Sequence, residues 1–110
     1  MERIYKIMAA AEWAAAQTAG VYEGSEHDRR DGFIHFSTGA QAADTAAKYF
    51  AGRTDLVLLA VDPTPLGAAL TWEPSRGGAL FPHLYASLPT SAVVAVNDLP
   101  LGPDGRHIFP

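Results

Sequence analysis

The spacing of hydrophobic and polar positions changes period several times along the chain, and each change marks an element. Residues 3–7 alternate, with Tyr5 and Ile7 on one side and Ile4 and Lys6 on the other, as a strand does. The alanine-rich run from Ala9 to Ala19 has strong helix propensity, and Gly20 suits the left-handed position beyond its end. Ala10, Trp13, Ala14 and Gln17 fall on one face of that helix, which makes Trp13 the expected core anchor.

Residues 23–32 are polar and charged and end in the Asp31-Gly32 turn signal, so they predict a loop. Phe33 to Ser37 then predicts a second strand. Thr38 and Gln41 have capping-box spacing, and Ala42, Thr45, Ala46, Tyr49 and Phe50 recur at helical intervals until Gly52. The short, wholly apolar run Leu56 to Val61 is the signature of a strand covered on both faces, central in its sheet. Alternation returns at 70–73. A glycine-rich turn at 75–78 follows, then an extended segment at 80–85 broken by Pro82, and a strand at 93–99. Pro103-Asp104-Gly105 can turn the chain into a short closing strand through His107 to Phe109. Helices early and strands late predict an α+β fold rather than an alternating parallel one.

Length and composition narrow the function classes. At 110 residues the chain is expected to be one domain, 1–110, with a single core. With 48% hydrophobic and 18% charged residues it should fold as a compact globule, and it carries no uniformly apolar stretch for a membrane span. Glu12 interrupts the apolar residues 8–16, so no export signal is read there and a cytoplasmic location is expected. A formal charge of −4 gives no general basic surface, which makes nucleic acid a disfavoured partner. The absence of cysteine removes thiolate nucleophiles and thiolate metal sites.

Two histidines stand out. If the second strand keeps its pleat, His35 shares a face with Phe33 and Ser37, while Ile34 and Phe36 point into the core. An imidazole held on rigid scaffold beside a hydroxyl can carry a proton near neutral pH, or it can serve as a structural hydrogen-bonding group. His83 lies between Phe81 and Tyr85 on another alternating face, with Leu80 and Leu84 opposite. It belongs either to an aromatic-walled pocket or to an edge strand that Pro82 keeps from extending the sheet. Arg76 in the Ser75-Arg76-Gly77-Gly78 turn, just after Trp72 and Glu73, could clamp a carboxylate or phosphate. His27 and His107 read as solvated surface residues outside the site. The histidine and glutamate separations match no compact metal-ligand pattern, so no metal is expected, and no G-x-S-x-G elbow supports a serine hydrolase.

The series Ile4-Tyr5-Lys6-Ile7, Trp13, Asp31-Gly32-Phe33-Ile34-His35-Phe36-Ser37-Thr38 and Phe81-Pro82-His83-Leu84-Tyr85 resembles the bacterial family called domain of unknown function 952. The resemblance implies an ADP-ribosyltransferase-like fold, a split mixed β-sheet with two main N-terminal helices, and a cleft for nicotinamide adenine dinucleotide (NAD) or a related phosphorylated metabolite. By motif position it puts Lys6, His35 and His83 in that cleft, Lys6 standing where relatives often carry histidine. The glutamate usual in the third motif is replaced by His83, which leaves Glu73 as the nearby acid. On this reading His35, His83 and Glu73 are the catalytic candidates, and Lys6, Ser37, Arg76 and Tyr85 bind the ligand. The alternative is a noncatalytic ligand-binding or interaction module on the same fold.

Overall fold

The apolar run Leu56–Val61 is the middle strand of the first of three sheets, as its composition predicts. The structure, a computed structural model, describes residues 2–110. Its elements in chain order are β1 (Ile4–Ala9), α1 (Ala10–Ala19), β2 (Val21–Tyr22), α2 (Glu26–Asp31), β3 (Ile34–His35), α3 (Ala42–Tyr49) and β4 (Leu56–Val61). These are followed by β5 (Leu70–Ser75), β6 (Ala79–Leu84), β7 (Leu88–Pro89) and β8 (Val93–Asp98), with 3-10 segments at Thr64–Ala69 and Thr90–Ala92.

The sheets have the orders β1-β4-β8, β2-β7 and β3-β6-β5. Every residue of β4 is buried because the strand is covered on both sides. Val57, Leu59 and Val61 pack with Ile4, Met8, Trp13, Ile34 and Leu84, while Leu56 and Leu58 pack on the opposite face with Ile7, Ala46 and Leu99. Each buried leucine or valine contributes about 1.5–3 kcal/mol, so this one strand anchors two cores. The first and third sheets are paired through a single bridge, where Tyr5 N–H donates to the Ser37 carbonyl at 2.8 Å and Ser37 N–H to the Tyr5 carbonyl at 2.9 Å.

Several expectations are corrected. The pairing is antiparallel throughout the described strands rather than mixed. The segment read as a loop at 23–32 contains α2, capped by Ser25. In α1 the buried face is Trp13 and Ala16; Ala10, Ala14 and Gln17 are exposed. The strand expected at 33–37 pairs only over β3. β6 is the centre of its sheet, not an edge, and Leu80 is exposed. The closing strand at the C terminus reduces to one bridge between Leu101 and His107. Thr38 and Gln41 do exchange the reciprocal bonds of a capping box before α3, at 3.0 and 3.2 Å. Among the described residues no helix is long and apolar enough to cross a membrane.

Candidate functional site

β3 and β6 are antiparallel neighbours in which His35 stands directly opposite His83. Directly opposed residues project to the same side of a sheet, and the two imidazole centroids lie 5.5 Å apart. Phe33, two residues before His35 and so on its face, stacks on His83 at 4.0 Å and tilts against His35 at 4.5 Å. Ile34 and Phe36 point the other way into the core. The period-two reading of this segment therefore brings both histidines together.

Each ring is held at Nδ1 by a carboxylate. His83 Nδ1 donates to Glu73 Oε1 at 2.8 Å, and the Tyr85 hydroxyl donates to the same oxygen at 2.7 Å. The Tyr85 hydroxyl, then the His83 ring, hold the Glu73 carboxyl below its ordinary range, and the same bond raises Tyr85. His35 Nδ1 donates to Asp28 Oδ1 at 2.6 Å. Asp28 is almost fully buried, although nothing in the sequence reading singled it out.

Asp28 is the electrostatic centre of the site. Ser25 caps α2: Asp28 N–H donates to Ser25 Oγ at 3.1 Å, and Ser25 N–H donates back to Asp28 Oδ2 at 2.9 Å. Lys6, on the inward face of β1, donates from Nζ to both carboxylate oxygens at 3.1 and 3.0 Å, and the His35 N–H adds a bond of 3.1 Å. Burial alone lifts the Asp28 pKa, but the His35 bond, the Lys6 charge and the Ser25 N–H outweigh it and hold the carboxyl well below the usual range. Burial pushes the Lys6 ammonium down, opposed by Asp28. Burial also raises the Tyr22 phenol, with Asp28 and Glu12 adding to the shift. The turn into α2 needs Gly24 at φ +104°, where an added Cβ would meet the Asp28 Cβ at 3.0 Å.

A cavity of about 620 Å³ opens between these elements. Of the residues expected in the site, Lys6, His35, Ser37, Arg76 and His83 line it. Glu73 and Tyr85 lie outside its wall: Glu73 touches the cavity only through His83, and Tyr85 faces a second, shallower hollow beside Phe33. Lys6 is engaged by Asp28. Ser37 Oγ and Thr45 Oγ1 are hydrogen-bonded at 2.7 Å. Arg76 donates from Nη2 to Thr45 Oγ1 at 2.9 Å and lies over the Phe81 ring at 4.0 Å.

His27 corrects its reading as a residue outside the site, since it lines the cavity with its ring 4.6 Å from that of His35. His107 does not line the cavity; it donates from Nε2 to the carbonyl of Arg53, which does, at 2.9 Å. The missed residues carried one usable signal, because Ser25 and Asp28 have the Ser-x-x-acid spacing of a capping box. Chemically the arrangement offers two oriented imidazoles for proton transfer or hydrogen bonding, a guanidinium for an anion, and aromatic walls for a planar group.

Comparison with known proteins agrees with the motif resemblance. The family model described as Protein of unknown function (DUF952) matches residues 7–96. The crystal structure of protein CC0527 from Caulobacter crescentus superposes with a TM-score of 0.93 at 56% identity, covering 96% of this chain and 93% of that one. The solution NMR structure of CC0527 gives a TM-score of 0.87 at 57% identity, covering 96% and 91%. No curated protein matches the chain.

Proposed function

Since the chain belongs to the DUF952 family of proteins of unknown function, a functional reading has to come from the cavity itself, and we propose that it is an ADP-ribosyltransferase-type cleft binding a nucleotide or related phosphorylated metabolite, NAD-like in chemistry. The observation that carries this reading is the pair of imidazoles, each oriented by its own carboxylate, 5.5 Å apart on the wall of one cavity. The carboxylate bond at Nδ1 turns His83 Nε2 away from Glu73, while His35 Nε2 meets Asp31 Oδ2 at 3.0 Å, so a ribose hydroxyl or leaving group that uses His35 displaces that contact.

Arg76 supports the phosphate end. Its guanidinium is stacked on Phe81, and its backbone is held at φ +37°, a left-handed conformation uncommon outside glycine. A volume of about 620 Å³ suits a nucleotide-sized ligand. In this reading His35 orients or protonates the leaving group, His83 positions the ribose or ring, Arg76 binds phosphate, and Glu73 acts through His83 as a positioning residue.

Isothermal titration with NAD and with ADP-ribose tests the reading. Saturable binding is expected, weakened at least about tenfold by His35→Ala, the equivalent of about 1.4 kcal/mol. Binding heat that is the same in both proteins would remove His35 from the site. The engagement of Lys6 by Asp28 favours the second reading, a binding module without turnover, because Lys6 is then not free to reach a ribose. Nicotinamide released from NAD by the wild type but not by His83→Ala would exclude the module.

A further inference from the structure

We propose that His27 Nε2, Asp31 Oδ2 and His35 Nε2 bind one divalent transition-metal ion at the wall of the cavity, with its remaining coordination positions open to a ligand. The site goes beyond the nucleotide reading and does not depend on it; with the ion bound, His35 Nε2 is a ligand and orients what the ion holds instead of protonating a leaving group.

The geometry comes from one local device. α2 puts His27 and Asp31 one turn apart on the same face, and Gly32 in the left-handed conformation ends the helix and turns the chain into β3. His35 then projects back over that face. His27 Nε2 lies 3.5 Å and His35 Nε2 3.0 Å from Asp31 Oδ2, and the three donor atoms all lie within 4.8 Å of one another. Ligands about 2.0–2.2 Å from a common ion sit roughly 3.0–3.5 Å apart in octahedral or tetrahedral coordination. Two imidazoles and one carboxylate on one side of an ion form the donor set that suits zinc or iron(II) and leaves other positions vacant.

Hydrogen-bond accounting at His35 is the second observation. Its Nδ1 donates to the buried Asp28 and its Nε2 faces the Asp31 carboxylate, so both ring nitrogens meet oxygens that only accept. A neutral ring has one proton to give, and Asp28 takes it. A second cation therefore belongs between Nε2 and Oδ2, either a proton or a metal ion. With Arg30 donating to its Nδ1, His27 points a protonated Nε2 at the same oxygen, so two imidazole nitrogens already converge on Asp31 Oδ2 and one metal ion replaces both protons there. Asp28 behind His35 is the carboxylate that commonly fixes the tautomer of a metal-bound histidine. Arg30, exposed, donates to His27 Nδ1 at 2.9 Å, and metal binding moves the His27 proton to Nδ1 and releases Arg30 to solvent.

Chelator-treated protein, without nucleotide, titrated with Zn²⁺ by calorimetry and with Co²⁺ by visible spectroscopy tests the site. One equivalent is expected to bind with a micromolar or tighter Kd, and Co²⁺ to give d–d bands. His27 and Asp31 are both exposed, so His27→Ala and Asp31→Ala should keep the wild-type circular dichroism. Each should weaken binding by more than about 100-fold, beyond what loss of a supporting partner costs. Absence of stoichiometric binding, or binding that survives either substitution, would overturn the three-ligand site.

Discussion

Asp28 is the residue on which the site is balanced, and its energetics follow from burial. Lys6 and Asp28 form an ion pair with side chains 10% and 2% exposed. Removing one partner of such a pair leaves a buried charge uncompensated, so Asp28→Asn is expected to destabilise by about 3–5 kcal/mol. That corresponds to a fall in Tm on the order of 10 °C or more. The sign of the pH dependence follows from the depressed pKa: the folded carboxyl holds its proton less tightly than the unfolded one, so its contribution is complete above about pH 4. It fades as pH drops toward the folded value. The Tm gap between wild type and Asp28→Asn should therefore narrow in acid; a gap constant from neutrality to pH 2 would contradict the assignment. The strand faces of His35 and His83 were legible because strand alternation is local. Asp28 was not, because its burial depends on Lys6 arriving from a strand 22 positions away.

At the scale of elements, α2 carries what the sequence hid. Its composition is polar throughout, so hydrophobic periodicity gave no sign of a helix; only the Ser25 cap and the i,i+4 spacing of His27 and Asp31 did. The tight approach of Gly24 to Asp28 makes the helix entrance sensitive. Gly24→Ala combines a positive φ with a clash and should cost more than about 2 kcal/mol, whereas Gly77→Ala, strained in φ alone with open space at its Cβ, should cost about 1 kcal/mol. Thermal melts of the two variants check this order, and equal losses would mean that the entrance relaxes freely. An edge strand was one of two readings of β6, and it rested on Pro82. In a strand a residue's N–H and carbonyl point to the same side, and the Pro82 carbonyl accepts from Phe36 N–H, just past the last β3 pair. The missing donor thus falls where the ladder has already ended, and a central strand tolerates it.

At the scale of the molecule, alternation and helical spacing foretold the order of most longer elements, but not strand direction. Antiparallel pairing follows from long-range connections: β5 and β6 form a hairpin, and β1 meets β4 across three helices. The same long-range assembly explains Arg76. It stands on the β5–β6 turn yet bonds Thr45 on α3, which packs against the first sheet, so its guanidinium ties the two sheets together at the cavity wall, beside the Tyr5–Ser37 bridge and the shared core. With a chain charge of −4, the proposed phosphorylated ligand would have to be drawn by local cations rather than by the overall field. A charged hydrogen bond contributes about 1.5–3 kcal/mol, so Arg76→Ala should weaken ADP-ribose binding by roughly 10- to 150-fold. Arg76→Lys should recover little, because an ammonium keeps the charge but loses the planar fork and much of the stacking on Phe81. Because Arg76 is only partly buried, both variants should melt within a few degrees of wild type. Titration calorimetry and melting curves on the three proteins separate the roles: affinity unchanged in Arg76→Ala would make the residue a strut between the sheets and nothing more.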